Sequence, residues 1–272
     1  AGATASMEEN HGLARELAAA VRAAKMAGDI LLEKRGRVTV ERKSGHRDLV
    51  TEADRLAEEA VREVLLQAFP EYGIVGEEAG VTEGTAGRRW FVDPLDGTTN
   101  YAQGLPLFAT SIALEEDGRL LVGVVHLPVL DETYTAVQGR GAWKNGVPLH
   151  VSATDQLENA LLVSGFPNDM SPGRPDNTDH MGTLAAKSRG VRVLGTAAID
   201  LVYVAAGVFD GYWDLDNAAW DVAAGVLLVR EAGGKVTDMT GGELDLMKPR
   251  LLASNGKLHD ELLGVFREGR ID

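Results

Sequence analysis

The sequence predicts an α/β protein in two lobes, with helices and an antiparallel sheet in the first half and alternating strands and helices in the second. Three observations support this fold class. Apolar residues first recur at helical spacing, short turn-bounded strand patterns follow, and helical patterns then separate the later apolar runs. A chain of 272 residues that is 44% hydrophobic can bury one large core or two closely packed ones. We expect the lobes to span residues 7–155 and 156–272.

Two amphipathic helices are predicted at the start of the chain. Gly36 ends the first helix, whose apolar stripe consists of Leu13, Leu17, Val21, Ala24 and Leu31. Thr51 is placed to cap the second helix, and Asp54 at the third helical position completes a variant of the capping box. Pro70 ends this helix.

Strands joined by turns are predicted from there to the middle of the chain. The strand candidates are Trp90–Val92, Thr110–Glu115, Leu120–His126 and Tyr134–Val137. Asn145-Gly146 is a strong hairpin signal within 142–149. The segment Gly80–Gly87, rich in glycine and threonine, is predicted to be a loop. Strands joined by such turns favour an antiparallel sheet.

The second half alternates strand and helix patterns. Strands are predicted at Ala160–Ser164, Val191–Leu194, Tyr212–Leu215, Lys235–Thr237 and Leu251–Ala253. Helices are predicted at Thr196–Ala206, Asp221–Glu231 and Leu258–Arg267. The segment Pro167–Asp179, which contains three prolines, is predicted to be a surface loop near the lobe boundary.

Charge and composition argue against several classes of function. The formal net charge of −14 disfavours binding to nucleic acid or to an anionic membrane surface, both of which attract basic proteins. The absence of cysteine removes disulfides, thiolate zinc sites and cysteine nucleophiles. The sequence shows neither a signal-peptide pattern nor an apolar run of about 20 residues. We therefore expect a cytoplasmic protein.

The most informative segment is 90–101, in which a buried strand leads into two acids and a Gly-Thr-Thr turn. Pro94 cannot donate to a strand ladder, so we expect the sheet to end there. This would turn Asp93 and Asp96 out of regular pairing and free the Leu95 carbonyl as a further oxygen ligand. The amides of the turn would open a short helix, and a helix N-terminus favours phosphate oxygens.

Acids beside predicted buried strands occur at four places: Asp48 and Asp54, Glu77 and Glu78, Asp93 and Asp96, and Asp221. Oxygen ligands suit Mg²⁺ or Mn²⁺ rather than zinc. Two unit charges about 4 Å apart repel by roughly 4 kcal/mol at an effective dielectric of 20, so converging acids would need cations. A single acid is more simply a solvated charge or a cap, and capping alone would explain Asp54. For Asp48, a supporting role and simple hydrogen bonding are both open.

These residues carry a strong resemblance to the inositol monophosphatase family. The matching blocks are Asp48–Asp54, Gly76–Glu78, Trp90–Tyr101, Gly139–Gly146, Gly195–Leu201 and Trp220–Gly225. The blocks follow the order found in the family, and the resemblance runs from about Leu13 to the C-terminal strands. It implies a layered αβαβα sandwich of the inositol monophosphatase and fructose-1,6-bisphosphatase type.

The resemblance also implies a site for divalent metals made of acids and one carbonyl. One Mg²⁺ would lie on Glu77, Asp93 and the Leu95 carbonyl, and a second on Asp93, Asp96 and Asp221. A third, weaker metal would touch Glu77. Mn²⁺ would substitute for Mg²⁺, whereas Li⁺ and Ca²⁺ would inhibit.

Roles for the remaining residues follow from the same resemblance. Thr98 and Asp54 would orient and deprotonate the attacking water, with Glu78 and Lys43 as supporting residues near the metals. The phosphate and the substrate hydroxyls would be contacted by Asp96, Gly97, Thr98, Gly195, Thr196, Ala197 and Asp214.

The activity that this resemblance implies is hydrolysis of a phosphate monoester by an activated water that attacks phosphorus in line. Inositol 1-phosphate fits best, with tolerance of other sugar phosphates. Asp214 stands where the family often has Glu, and Thr196 where it often has Ser, which leaves the substrate open. Fructose 1,6-bisphosphate, histidinol phosphate and nucleotide 3′-phosphates, including NADP, remain alternatives. Homodimers are common among relatives, so a homodimer is expected.

Other function classes fit less well. A phosphatase of the haloacid-dehalogenase type has one residue between its two acids, whereas two separate Asp93 from Asp96. The six histidines lack metal-ligand spacing, and the glycine-rich stretches lack dinucleotide or P-loop spacing. The non-enzymatic alternative is a regulatory protein that retains the fold and binds a partner, although the complete acid set favours an enzyme.

Overall fold

The computed structural model describes residues 12–43, 49–168, 170–172 and 177–268. These residues form two large β-sheets, each with helices on both faces, and a separate two-stranded sheet. Asp48, one of the acids singled out in the sequence, lies outside the described residues. None of the described helices combines the length and the apolar composition that crossing a membrane requires.

The described residues contain the α-helices α1 (Ala14–Lys34), α2 (Glu52–Ala68), α3 (Thr98–Ala102), α4 (Thr178–Lys187), α5 (Ala197–Ala205), α6 (Ala219–Glu231) and α7 (His259–Glu268). The strands of the first half are β1 (Val40–Arg42), β2 (Leu49–Thr51), β3 (Gly73–Gly76), β4 (Gly80–Thr82), β5 (Arg88–Asp96), β6 (Ala109–Glu116), β7 (Arg119–Leu127), β8 (Glu132–Val137), β9 (Gly141–Lys144) and β10 (Val147–Pro148). Those of the second half are β11 (Leu161–Ser164), β12 (Gly190–Arg192), β13 (Gly211–Asp214), β14 (Lys235–Asp238) and β15 (Leu251–Ser254).

The first sheet contains eight strands in the order β10-β9-β8-β7-β6-β5-β3-β4. All neighbouring pairs are antiparallel except β3 and β5, which run parallel. The predicted antiparallel sheet is therefore confirmed apart from this one pair. Because β3 and β5 are parallel, their carboxyl ends meet at the same edge, which brings Glu77 close to Asp93.

The second sheet contains five strands in the order β12-β11-β13-β15-β14. Strand β11 is parallel to both β12 and β13, whereas β15 is antiparallel to β13 and β14. A helix connects β11 to β12, β12 to β13 and β13 to β14, whereas β14 leads directly to β15. The alternating pattern predicted for the second half is therefore confirmed as far as β14. Strand β13 ends at Asp214, which places this acid at the edge of the sheet.

The helices and sheets stack in five layers. Helices α1 and α2 cover one face of the first sheet, α5 and α6 pack between the two sheets, and α4 and α7 cover the far face of the second sheet. The αβαβα sandwich implied by the resemblance is therefore confirmed. Successive residues of β5 serve different layers, because side chains alternate across a strand: Trp90 packs under α1 and α2, and Phe91 packs in the core that contains α5 and α6.

Three sequence predictions about local structure are wrong. Strand β5 does not end at Pro94 but continues to Asp96, with a register shift between Asp93 and Asp96 that accommodates the proline. Part of the predicted loop 80–87 is a strand, since β4 pairs with β3. The predicted loop 167–179 overlaps α4, which begins at Thr178, although 169 and 173–176 lie outside the described residues.

Candidate active site

Asp93 and Asp96 are the two acids of the central motif, the segment 90–101. They lie at the two ends of the irregular part of β5. Asp93 is 1% exposed, and its Oδ1 accepts the Leu95 amide at 3.1 Å. The Thr110 hydroxyl donates to the Pro94 carbonyl at 2.9 Å, so the neighbouring strand β6 holds the irregular segment in place. Gly97 follows with φ of 92°, a left-handed conformation that glycine adopts at little cost, and the chain turns there into α3.

Three carboxylates from different elements converge beside this segment. Glu77 follows β3, Asp93 belongs to β5, and Asp221 lies in the first turn of α6. One carboxylate oxygen from each lies within 4.8 Å of the others. Asp221 Oδ2 accepts the Ala218 amide at 2.7 Å, a helix-capping contact that fixes the orientation of the carboxylate.

The electrostatics of this cluster favour a bound cation. Burial raises the pKa of Asp93 well above its usual range, and repulsion from Glu77, Asp96 and Asp221 raises it further. Burial likewise raises the pKa of Asp221, with Asp96 and Glu77 adding to the effect. A set of only oxygen ligands that repel one another in this way fits a hard divalent cation such as Mg²⁺.

Asp96 is held differently from the three clustered acids. Its Oδ2 accepts a hydrogen bond from the Thr196 hydroxyl and another from the Ala198 amide, the latter at 2.7 Å. Burial raises the pKa of Asp96 to about 6, although these two hydrogen bonds oppose the shift. One oxygen is thus tied to the start of α5, and the other is left for the cavity that Asp96 lines.

Asp54 is connected to the central motif by Thr98. It is fully buried, and its Oδ2 accepts both the amide of Thr51 at 2.7 Å and the hydroxyl of Thr51 at 2.6 Å. The predicted capping box at the start of α2 is therefore confirmed. Its Oδ1 accepts the Thr98 hydroxyl at 3.0 Å. Burial raises the pKa of Asp54, which outweighs the hydrogen bonds from Thr51 and Thr98.

Lys43 and Glu78 lie beside the acid cluster. The Lys43 ammonium donates to Glu77 Oε1 at 3.0 Å and also pairs with Glu78. Burial lowers the pKa of Lys43, but attraction to Glu77 and Glu78 outweighs it and raises the pKa overall. Burial raises the pKa of Glu78, partly offset by Lys43. Lys43 thus partly neutralises Glu77, one of the three clustered acids.

A cavity of about 610 Å³ opens over the cluster, a size typical of sites for small molecules. It brings together eleven of the residues predicted for the site: Glu77, Asp93, Leu95, Asp96, Gly97, Thr98, Gly195, Thr196, Ala197, Asp214 and Asp221. The predicted residues Asp54, Glu78 and Lys43 do not line it but contact residues that do. Seven carboxylates line the cavity, and no lysine, arginine or histidine does so among the described residues.

The far side of the cavity is formed by residues from the second half of the chain. Asp214 accepts the Tyr212 hydroxyl at 2.9 Å and the Asp216 amide at 3.0 Å, and burial raises its pKa. The loop at Gly195 is held by Asn100, whose amide group donates to the Leu107 carbonyl at 2.8 Å and to the Leu194 carbonyl at 2.7 Å.

Two residues that organise the site were missed by sequence reasoning. Glu58, 1% exposed in α2, accepts the amides of Glu78 at 2.6 Å and Ala79 at 3.0 Å and so fixes the turn that carries Glu77. Asn100 joins the central motif to the Gly195 loop. The sequence gives no signal for Glu58, whose burial on the packed face of α2 is visible only in the structure. The Asn100 contact spans 94 residues of chain.

Five layers of helix and sheet, with clustered carboxylates at the cavity, define a sandwich protein suited to binding divalent cations. In a comparison with known protein families, the model of the inositol monophosphatase family matches residues 13–270. This chain belongs to the inositol monophosphatase family. This family consists of metal-dependent phosphatases, so the chain belongs to the phosphatase class of hydrolases.

Individual relatives and solved structures are similar to this chain over most of its length. A protein named Nus factor SuhB from Pseudomonas aeruginosa is 44% identical over 254 residues, which cover 90% of this chain and 93% of the relative. A protein named inositol-1-monophosphatase from Rhizobium meliloti is 44% identical over 227 residues, with 82% and 84% covered. The structure of an inositol monophosphatase from Anabaena has a TM-score of 0.86 at 38% identity, with 94% of this chain and 97% of that chain covered.

Proposed function

We propose that this chain hydrolyses phosphate monoesters of polyols in the presence of Mg²⁺, with inositol 1-phosphate as the best candidate substrate. The observation that carries the proposal is the convergence of Glu77, Asp93 and Asp221 in a cavity that also contains the Gly97 turn and Asp214. The relatives named inositol-1-monophosphatase support the choice of substrate.

The residues that would hold the metals are those of the acid cluster and its neighbours. Glu77, Asp93 and the Leu95 carbonyl would form one set, and Asp93, Asp96 and Asp221 the other. When bound there, divalent cations supply charge stabilisation for the phosphoryl oxygens and lower the pKa of the attacking water. Mg²⁺ fits this all-oxygen donor set, and Mn²⁺ would replace it.

Thr98 and Asp54 would orient the attacking water and remove its proton. The Thr98 hydroxyl lies 3.0 Å from Asp54 Oδ1 and 3.2 Å from the Leu95 carbonyl, but its single proton can serve only one of them at a time. Donation to the carboxylate is stronger, which leaves the Leu95 carbonyl free. The lone pairs of Thr98 Oγ1 then accept a proton from water, and Asp54 accepts the proton of Thr98 in turn.

The remaining residues would bind the two ends of the substrate. The amides of Gly97 and Thr98 would hold the phosphate, and Asp214 would accept a hydroxyl of the alcohol. No cationic side chain lines the cavity among the described residues, so a second phosphate would face only carboxylates. We therefore expect monophosphates to be preferred to fructose 1,6-bisphosphate and nucleotide bisphosphates.

Phosphate release from a substrate panel tests this proposal. The panel contains inositol 1-phosphate, histidinol phosphate, fructose 1,6-bisphosphate and a nucleotide 3′-phosphate, each assayed with and without Mg²⁺. We expect Mg²⁺-dependent release that is fastest with inositol 1-phosphate, and a loss of more than about 100-fold in Asp96→Asn. Equal, slow release by the wild type and Asp96→Asn across the panel would contradict the proposal.

A second candidate function is a partner-binding role, which the relatives named Nus factor SuhB favour. The complete set of acids in the cavity supports catalysis, and a partner-binding role would not require the loss of any of them. Both functions would be present if the wild type hydrolyses the substrate and the inactive variant Asp96→Asn still binds a protein partner. A homodimer, a cytoplasmic location and inhibition by Li⁺ or Ca²⁺ stay predictions.

A further inference from the structure

Asp200 is a buried acid in the cavity that has no role in the site described so far. It lies in α5, is 2% exposed and lines the cavity. Its Oδ1 is fully enclosed and has no hydrogen-bond partner. Within the described ranges, four side-chain atoms share this condition, on Glu16, Trp90, Ser111 and Asp200, and of these four residues only Asp200 lines the cavity.

The two oxygens of Asp200 have different surroundings. Oδ1 is fully enclosed. Oδ2 accepts no hydrogen bond from the described residues either, but it is not fully enclosed. Oδ2 is therefore the oxygen that faces the cavity. The carboxyl group points a polar atom at the space where a substrate would lie, and the described part of the chain supplies no partner for that atom.

Keeping this carboxyl group costs the protein free energy. A buried polar group without a partner is destabilising, and a leucine would suit an environment of packed apolar side chains on α5 such as Ile199 and Leu201. Burial raises the pKa of Asp200 well above its usual range, and Asp214 and Asp96 raise it further. The Asp200 carboxyl group can accept a hydrogen bond in either protonation state, and it can also donate one when it is protonated.

The neighbours of Asp200 indicate which part of a substrate it would contact. It interacts electrostatically with Asp214 and with Asp96, and it lies one helical turn after the Thr196 hydroxyl that holds Asp96. Asp214 is the residue proposed to accept a hydroxyl of the alcohol. Asp200 is therefore placed near Asp214, the acid proposed to bind the alcohol part of the substrate.

We propose that Asp200 is a further specificity-determining residue, whose Oδ2 hydrogen-bonds a hydroxyl of the leaving alcohol beside the hydroxyl bound by Asp214. This inference rests on the proposed phosphatase function. The carboxyl group lines the cavity and has no hydrogen-bond partner among the described residues, so a substrate hydroxyl would supply the missing partner. The substrate class it selects is the polyol monophosphate rather than a phosphate ester of a simple alcohol.

The test compares two substrates that differ only in hydroxyl groups, myo-inositol 1-phosphate and cyclohexyl phosphate. The measured quantity is the ratio of kcat/KM for the first to kcat/KM for the second, with Mg²⁺ present. Asp200→Leu is expected to lower this ratio about 10–100-fold, because one hydrogen bond is lost with the polyol alone. Asp200→Asn keeps an acceptor and a donor, so it is expected to restore the ratio to within about threefold.

A matched control is Asp210→Asn, which changes a buried acid with a structural role. Asp210 is 6% exposed and accepts from the Ser152 hydroxyl and from the Leu161 amide at 2.7 Å. It is expected to lower the melting temperature and to leave the substrate ratio unchanged. Asp200→Leu is expected to keep or raise the melting temperature, since it removes a polar group that has no partner.

The outcomes separate this inference from the proposed function. If the wild type hydrolyses neither ester, the proposed function fails and the inference fails with it. If the wild type hydrolyses both and Asp200→Leu leaves their ratio unchanged, the inference alone is overturned. A fall in melting temperature with equal losses on both substrates would show a structural role and would also overturn it.

Discussion

The Thr98 hydroxyl lies 3.0 Å from Asp54 Oδ1, which links the turn after β5 to the first turn of α2. The other oxygen of Asp54 accepts both the amide and the hydroxyl of Thr51. The two oxygens therefore serve different purposes. Oδ2 caps the helix. Oδ1 contacts Thr98 at the edge of the cavity, and this contact is not needed for capping. A cap and a functional acid are thus compatible in the same side chain.

This division predicts separate effects of two substitutions. Asp54→Asn is expected to lower kcat about 10²–10⁴-fold with little change in KM, because the proton acceptor for Thr98 is lost while substrate contacts remain. Steady-state kinetics with inositol 1-phosphate checks this. Thr51→Val, which removes only the capping hydroxyl, is expected to cost about 1 kcal/mol of folding free energy and to leave kcat within about threefold. Equal kcat losses in both variants would show that Asp54 acts only as a cap.

The repulsion within the acid cluster predicts opposite effects on stability and metal binding. Asp93→Asn removes a buried charge that Glu77, Asp96 and Asp221 repel. In metal-free protein it is expected to raise the melting temperature by about 2–4 °C. The same substitution is expected to weaken Mg²⁺ binding more than about 100-fold, measured by calorimetry, because a shared ligand is lost. A lower melting temperature without metal would contradict the view that the cluster is destabilised by repulsion.

Glu58 is expected to affect metal binding although it does not line the cavity. It holds the Glu78 and Ala79 amides and pairs with Arg62 at 2.8 Å. Glu58→Gln weakens this hold on the turn that carries Glu77, so Mg²⁺ affinity is expected to fall about 10–100-fold in calorimetry. Glu59→Gln changes an exposed acid on the same helix and serves as the control. The same affinity in both variants would show that the turn does not depend on Glu58.

The sequence predicts those elements that bury a regular apolar face. The alternation of Trp90 and Phe91 and the stripe of α1 are visible without a structure. The antiparallel pair of β1 and β2 and the helix α4 were missed, because β1 and α4 bury little. All three residues of β1 are exposed, and Leu184 is the single buried residue of α4. Such elements depend on neighbours that local periodicity does not encode.

The central motif of the site could also be predicted, because Asp93, Leu95, Asp96 and Thr98 are close in sequence. Contacts that depend on the packing of distant elements could not. Glu58 reaches across 20 residues to Glu78, and the Asp96 carboxylate is fixed by residues 100 and more positions away. Asp200 is one acid on a helix until the fold places it in the cavity.

His259 connects strands β14 and β15 through two hydroxyl groups. It is fully buried, with Nε2 2.8 Å from the Thr237 hydroxyl and Nδ1 2.8 Å from the Ser254 hydroxyl. Thr237 donates its own proton to the Asp238 carbonyl at 2.7 Å, so it can only accept from the ring. The network therefore requires a neutral ring with the proton on Nε2, and Nδ1 accepts from Ser254.

This neutral ring predicts a loss of stability in acid. Burial lowers the pKa of His259 to about 4, and Lys235 lowers it further, whereas the unfolded chain has a pKa of about 6.5. Between these values the unfolded state binds more protons, so stability falls as pH decreases, by at most about 1.4 kcal/mol per pH unit. His259→Gln is expected to flatten this slope between pH 6.5 and 4, measured by urea unfolding, while His150→Gln at an exposed position keeps it. The same slope in wild type and His259→Gln would contradict the neutral buried ring.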